Sequence, residues 1–480
     1  MFGASNIQYA HSDRVRGLAS GGIGAMHRLA RQVGLVAALD QHLPLLKVHL
    51  PYHESDHVLN VAYNILCGGT CLQDLELRRQ DEVYLDALGA QRIPDPTTAG
   101  DFCRRFDGAA IDALQTAINE TRVRVWLQQP AAFFDEAIID ADGTLAETTG
   151  ECKEGMDIAY NGVWGYHPLV VSLANTGEPL FLVNRSGNRP SSEGAAERFD
   201  AARALCQTAG FRRITFRGDT DFSQTAHLDR WAADGVRFVF GYDARPNLIG
   251  VADALPATAW TPLVRRPPAA VQTEPRTRPP NVKAATIVAR EFTNLRLEAE
   301  AIAEVPYQPT ACATPYRMVI VRKNISVERG AHRLIDQVRY FFYLTNDHEA
   351  AASAVVFLAN DRCNQENLID QLKHGVGATR MPVDTLLSNW AYMVMAALAW
   401  TLKAWFALLL PETGRWATRY AAEKAAVLRM DFPTLLNAFM RIPVQVVRTS
   451  RRVVFRLLAW NPWQAVCLRG FDQLRAPLRC

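Results

Sequence analysis

Three side chains in the run Arg362-Cys-Asn-Gln-Glu366-Asn-Leu-Ile-Asp-Gln-Leu-Lys373 have the types and spacing for phosphoryl chemistry. At about 100° per residue, a helix through this run brings Arg362, Glu366 and Lys373 within roughly 40° of one another. One face then carries a carboxylate flanked by two cations. Such a face can hold a divalent metal beside a phosphodiester, the carboxylate on the metal and the cations on the phosphate oxygens. Two aspartates at expected strand ends, Asp142 and Asp219, add carboxylates from separate elements. Cleaving or transferring a phosphodiester needs an activated oxygen nucleophile and relief of charge in the transition state, which two magnesium ions roughly 4 Å apart supply when such carboxylates converge. A lone Asp is usually a surface or turn residue. The combination, with Arg362 and Lys373 in register, points to metal-dependent cutting and joining of DNA.

The elements that must position these groups follow from the pattern. Apolar residues at three- and four-residue steps from Ser20 to Phe106 predict a helical N-terminal region. Phe133 to Thr144 reads as a strand, and alternation puts Asp140 on the same face as Asp142, so Asp140 is an alternative ligand. Asp221 stands in the same relation to Asp219. Asp370, one turn beyond Glu366, reads as a solvated charge. Pro168–Ala174 and Pro179–Arg185, joined through Asn175-Thr-Gly177, predict an antiparallel hairpin. A helix (Ser192–Ala209), a strand (Arg213–Arg217), a helix (Ser223–Asp234) and a strand (Val236–Tyr242) follow. This order describes a mixed sheet flanked by helices, as in the ribonuclease H-like fold. Strand-like runs at Thr286–Arg290, Arg317–Arg322 and Val338–Leu344 suggest a β-rich insertion, with helix from His348 to the end.

The 480 residues allow two to four domains. A net charge of +3, with 52 basic residues against 49 acidic, does not announce a nucleic-acid partner. Its distribution says more. Arg448 to Arg479 holds seven arginines against Asp472 alone, and Arg265 to Arg290 holds six basic residues against Glu274. Such blocks can follow a phosphate backbone or simply be solvated. The nine cysteines form no CxxC pair or zinc-spaced cluster, which fits reduced thiols in a cytoplasmic protein. Cys67 and Cys71, one helical turn apart, read as structural. Ala391 to Leu410 is long enough to cross a bilayer but carries Lys403, so a buried helix bracing the Glu366 helix is expected, with no membrane partner.

Several phrases together resemble the DDE insertion-sequence transposases of the subgroup with a Y-R-E-K signature, close to the insertion-sequence family numbered 1380. They are Ile139-Asp-Ala-Asp142-Gly-Thr, Gly165-Tyr-His-Pro-Leu169, Phe216-Arg-Gly-Asp219-Thr-Asp-Phe222, the Arg362–Glu366–Lys373 run and Met381-Pro-Val-Asp-Thr-Leu-Leu-Ser-Asn-Trp390. The resemblance implies that Asp142, Asp219 and Glu366 are catalytic and bind Mg2+, two ions per site with Mn2+ as a substitute, and that Arg362 and Lys373 contact DNA. It favours Asp142 over Asp140 because the family aspartate precedes a small residue and Thr. The family tyrosine falls at Ala359 and is absent, so its phosphate contact does not carry over. Also implied are binding to double-stranded DNA with terminal inverted repeats, a homodimer on DNA, transfer of a 3′-hydroxyl into target DNA, and action at the bacterial nucleoid. The expected organisation is a helical DNA-binding region over 1–130, the first part of a ribonuclease H-like core over 131–245, an insertion over 246–346 that holds the transposon end, core completion over 347–410 and a basic helical region over 411–480. Trp260 in the insertion is a candidate for stacking on a base or, more often for this residue type, a core or turn tryptophan.

Two rivals remain. Ala137-Ile-Ile-Asp140-Ala-Asp142-Gly-Thr-Leu145 resembles the opening motif of haloacid-dehalogenase-type phosphatases, with Asp140 as nucleophile and Asp142 as general acid, but the lysine and paired acids that family needs downstream are missing. The other is a degenerate DNA-binding derivative, against which all three carboxylates stand.

Overall fold

A computed structural model describes residues 15–150, 152–265, 286, 289–330, 332–449, 452–458 and 461–478. β-branched and aromatic runs between turn residues form most of its strands. In chain order these are β1 (Gly17–Leu18), β2 (Ala137–Gly143), β3 (Ala146–Glu147), β4 (Asp157–Ile158), β5 (Trp164–Tyr166), β6 (Leu169–Leu173), β7 (Glu178–Val183), β8 (Ile214–Gly218), β9 (Arg237–Tyr242), β10 (Thr261–Pro262), β11 (Thr293–Tyr307), β12 (Tyr316–Arg329), β13 (His332–Thr345), β14 (Val444–Arg448) and β15 (Val453–Leu457).

Nine of them form one mixed sheet in the order β10-β11-β12-β13-β9-β8-β2-β6-β7. At its heart β2, β8 and β9 run parallel, while β6 and β7 pair antiparallel on the β2 side. The expected hairpin is β6–β7, and Asn175 in its turn ties it to the approach of β2, accepting from Ile138 N–H and donating to the Glu136 carbonyl, both at 2.9 Å. Helix Ala195–Ala209 covers β2, β6, β7 and β8, its Phe199 packed against Phe216, Trp231 and Phe240. The long strands after residue 290 extend this same sheet, because β13 pairs antiparallel with β9.

Helices fill the N-terminal region as expected, and they dock on the rest through a buried carboxylate. Glu178, at the start of β7, accepts from Arg122 Nε (3.1 Å), Trp126 Nε1 (2.9 Å), Trp405 Nε1 (2.9 Å) and Thr176 Oγ1 (2.7 Å). Burying a carboxyl group is tolerable only when its oxygens are so surrounded by donors.

Four expectations need correction. The C-terminal region is not wholly helical: β-branched residues in Val444–Arg448 and Val453–Leu457 form β14 and β15, which join β1 in a three-stranded sheet. Gly21 and Gly24 let the first helix, Ile23–Gln32, lie against it, since side chains there would strike Val444 of β14 and the Phe455 ring of β15. The run Arg362–Lys373 is not one regular helix: Arg362 caps helix Cys363–Asp370, and Gln371–Gly375 is a π-helical turn, which ends the 100° step. At Thr286–Arg290, Thr286 and Ala289 are helical and Arg290 N–H donates to the Thr286 carbonyl, with Ile287 and Val288 outside the described residues. Phe133 and Phe134 lie in a 3-10 turn, so the strand begins at Ala137.

The apolar run is helix Leu386–Leu408, whose window long and apolar enough to cross a membrane is wholly buried inside the protein. It packs chiefly on helices Glu54–Leu66 and Gly108–Trp126 and on β7, and meets the Glu366 helix at Met393, which shares a small cavity with Ile369 and Leu372. Lys403 in its middle has no exposure; its Nζ donates to the Leu428 carbonyl (2.5 Å) and lies 3.8 Å from the centre of the Trp400 ring. Burial pulls its pKa down to about 7. The folded value lies below the unfolded one of about 10.4, so this group's contribution is full above pH ~10 and is lost as pH falls to about 7. Lys403→Met is therefore expected to stabilise the protein by on the order of 1–3 kcal/mol at pH 7, with the gain shrinking towards pH 10. Urea unfolding at both pH values checks this; a gain independent of pH would mean that ionisation of the amine is not its source.

Candidate active site

Parallel pairing sets the positions of the two aspartates. Asp140 on β2 lies opposite Arg217 on β8, so Asp142 and Asp219, each two residues further on, sit side by side at the carboxyl ends of adjacent strands. Asp142 closes β2 with its side chain 15% exposed. Asp219 follows β8 and caps a 3-10 turn, accepting from Asp221 N–H at 3.0 Å. Gly241 on β9 makes room for this turn: a Cβ there would lie 2.9 Å from Thr220 N and 3.1 Å from the Asp219 carbonyl carbon.

Arg362 reaches into this pair. Its Nη1 donates to Asp142 Oδ2 at 3.2 Å and its Nη2 lies 3.8 Å from Glu366 Oε1. Glu366 stands on the outer side of Arg362, with its side chain 63% exposed. Lys373 follows in the π-helical turn, and its Nζ donates to Thr144 Oγ1 at 3.0 Å, two residues past Asp142. The neighbouring acids separate cleanly. Asp140 is fully buried in a bidentate pair with Arg217, both contacts at 2.7 Å, whereas Asp221 is exposed and Asp370 pairs with His374 at 2.7 Å.

Electrostatics reflect this crowding. Burial, then the charge of Asp219, raises the Asp142 pKa to about 6, with Arg362 opposing and Glu366 adding to the rise. Burial likewise raises Asp219, against Arg362. Two desolvated carboxylates side by side, one of them paired with Arg362, form an all-oxygen donor set, which suits a hard divalent cation. Among the described residues, no three His, Cys, Asp or Glu side chains are drawn together tightly enough to hold a metal ion, because Glu366 stays on the solvent side of Arg362.

Several positioning residues escaped the sequence reading. Gln365 is buried and anchors the Glu366 helix to β6, its Nε2 donating to the Val170 carbonyl (3.0 Å) and its Oε1 accepting from Ser172 Oγ. Val170 is the residue paired with Asp142, so Gln365 fixes Glu366 to the strand opposite the first aspartate. His167 donates from Nδ1 to the Arg189 carbonyl at 2.8 Å, and its Nε2 lies 2.9 Å from where a Cβ on Gly143 would stand. Its phrase was legible as a motif; the glycine that admits the ring was not. Trp260, 9% exposed, has Arg322 stacked 4.3 Å above its ring, so it is a core tryptophan.

A family model for the transposase DDE domain, group 1, matches residues 16–478. The chain belongs to this family of DDE transposases. Among solved structures, the cryo-EM structure of a piggyBac transposase synaptic complex with hairpin DNA is similar over 88% of this chain and 80% of that one, at 10% identity and a TM-score of 0.38. No curated protein matches. The transposase is thus an enzyme of DNA transposition that cleaves DNA and transfers strands, from a family that generally uses divalent metal ions. The phosphatase reading falls with this assignment, and with the geometry as well, since its nucleophile would be the Asp140 carboxylate locked on Arg217.

The raised pKa of Asp142 has a measurable consequence. A carboxyl raised above its unfolded value contributes stability below about pH 4 that is lost as pH rises through about 6, so at neutral pH the transposase carries an ionisation penalty there. Asp142→Asn is expected to stabilise the chelator-treated protein by about 1–2 kcal/mol at pH 7.5, with the difference closing near pH 4, while ending DNA cleavage. Thermal melts across that range decide it, and a destabilised variant at pH 7.5 would contradict the penalty.

Proposed function

We propose that Asp142, Asp219 and Glu366 hold two magnesium ions, with manganese as a substitute, and that the transposase cuts at the inverted repeats of its element and then directs the freed 3′-hydroxyl at target DNA. The observation that carries this reading is the side-by-side placement of Asp142 and Asp219 at the ends of adjacent parallel strands, with Arg362 on the first of them. Divalent ions held there would supply charge relief at the phosphate and activation of the attacking oxygen. The protein's own residues do the positioning. The strands fix the two aspartates, Gln365 holds the Glu366 helix on β6, and Arg362 and Lys373 reach the β2 end at Asp142 and Thr144, where scissile phosphate oxygens would lie.

The order β7-β6-β2-β8-β9, with its first three strands antiparallel and its last three parallel, supports a ribonuclease H-like core. The phrases from Ile139 to Trp390 support membership of the insertion-sequence family numbered 1380. On this reading residues 131–245 and 347–410 make the catalytic unit, residues 246–346 are its insertion, and residues 1–130 and 411–480 bind repeat DNA. A groove of about 1190 Å3 between the first helix and the C-terminal sheet fits the last role, with Arg28, Arg31, Arg452 and Arg475 along it to meet phosphates. Transposition joins two ends, which supports a homodimer on DNA.

Incubating the purified protein with a duplex that ends in the element's own terminal repeat, with and without magnesium, tests the reading. End-specific nicking that requires the metal and is lost in Asp142→Ala, Asp219→Ala and Glu366→Ala is expected, each loss at least 100-fold. Nicking that survives Glu366→Ala would remove Glu366 from the site, and binding without nicking in the parent would mark a degenerate DNA-binding derivative.

A further inference from the structure

The ladder that carries Asp142 does not stop where β2 ends. Gly143 lies opposite Leu169, and Thr144 N–H donates to the Pro168 carbonyl at 2.9 Å. Ala146 and Glu147 then lie opposite Tyr166 and Gly165, and Thr148 N–H donates to the Trp164 carbonyl at 3.1 Å. One antiparallel register therefore runs on from β2–β6 into β3–β5, and β4 adds a third strand on the far side of β5. Thr148 stands six residues past Asp142, at most roughly 20 Å along a strand. This small sheet projects from the same carboxyl ends at which Asp142 and Asp219 stand.

Alternation assigns its faces. Thr144, Ala146 and Thr148 share the face of Asp142, where Lys373 meets Thr144, while His167 packs on Gly143 behind. Ala146 and Tyr166 are buried, the Tyr166 hydroxyl donating to the Glu154 carbonyl at 2.7 Å. In the next row the cover ends: Trp164 is 53% exposed, and Ile158, opposite it on β4, is 47% exposed. The loop from β4 to β5 is closed by Ala159 N–H on the Val163 carbonyl at 2.8 Å, with Gly162 at φ 84°, and it holds Tyr160 89% exposed at its tip. Among the described residues neither the Trp164 nor the Tyr160 ring has a hydrogen-bond, aromatic or cationic partner. The opposite face of these strands is acidic, with Glu147 and Asp157 on either side of Gly165. Lys153, in the segment between β3 and β4, is turned onto the Met381 carbonyl.

We propose that Trp164 and Tyr160 form a stacking platform for unpaired bases of the DNA strand beside the cut. A row without a cation, backed by two carboxylates, does not follow a phosphate backbone. Aromatic faces do stack on bases, and any base presents such a face. Within a duplex those faces are taken up by neighbouring bases, so the platform acts where the strands have separated, next to the site of cleavage. A tight loop that carries an aromatic side chain at its tip is narrow and convex, a shape suited to entering a base step rather than to lying flat on another protein. Arg362 and Lys373 would then hold phosphates while the hairpin holds bases, a contact that Trp260 in the core does not offer. The inference rests on the cutting of DNA at Asp142 proposed above and adds a base contact to that site.

The test uses the full chain and a duplex that ends in the terminal repeat and carries mismatches beside the cut, with binding measured before magnesium is added. Trp164→Ala and Tyr160→Ala, both at exposed sites, should bind this opened end on the order of tenfold more weakly, the loss of one stacked base. Trp164→Phe should stay close to the parent, Glu147→Gln on the opposite face should bind at least as well, and circular dichroism should be unchanged in all four. The slope of affinity against salt should also be unchanged, because no phosphate contact is removed. Iodouracil placed in turn at the unpaired positions should photo-crosslink to the peptide spanning residues 157–165. Parental affinity in both alanine variants, a lower salt slope, a changed number of protein copies per DNA, or no crosslink to that peptide overturns the platform. In each of these cases magnesium-dependent nicking of a fully paired end by the parent leaves the transposition reading standing, and its absence would sink that reading separately.

Discussion

One guanidinium sets the geometry on which the catalytic end of this molecule depends. Arg217 projects from β8 with almost no exposure, pairs bidentately with Asp140 on β2, and donates its remaining Nη1 to the Leu358 carbonyl at 2.8 Å. It thereby locks the two strands that end in Asp142 and Asp219 to the helix that leads into Arg362 and Glu366. A buried ion pair of this kind adds little net stability, because desolvation offsets the attraction. Its effect is geometric: losing either partner would strand a buried charge, so alternative registers of β2 against β8 are strongly disfavoured. The pair also takes Asp140 away from solvent, since both of its oxygens are buried on Arg217, and leaves Asp142 as the accessible carboxylate of Asp140-Ala-Asp142.

The strand and helix order around this pair was legible because each element is short, periodic and bounded by Gly, Pro or Asn, and because both aspartates stand where strands end. The geometry of the Glu366 segment was not. A π-helical turn leaves no periodic signature in Asp370-Gln-Leu-Lys-His-Gly, and from it Lys373 reaches Thr144. Gln365 was invisible for a different reason: a glutamine beside a carboxylate in a helical run looks like a surface residue until its partners on β6 are known. The C-terminal strands were missed because Val444–Arg448 and Val453–Leu457 are short, and their pairing with Gly17–Leu18 spans nearly the whole chain. Long-range pairing of that kind is set by tertiary contacts rather than by local propensity.

Arg362 stands in the molecule as the counter-charge for Asp142, with Glu366 beyond it. On the reading proposed above it has a second duty at the phosphate, and one guanidinium cannot serve both fully at once. Asp142 and Asp219 would hold a divalent ion whose charge could take over the first duty, because burial has made both carboxylates costly to ionise. Arg362 would then be free to turn to DNA. Metal and DNA would help each other bind through this one side chain, and by linkage the coupling must be equal in both directions. The exposure of Glu366 fits the same logic: a carboxylate held at the solvent side by a single arginine is free to move inward when that arginine leaves, so the third ligand would join only in the presence of the charges it is there to balance.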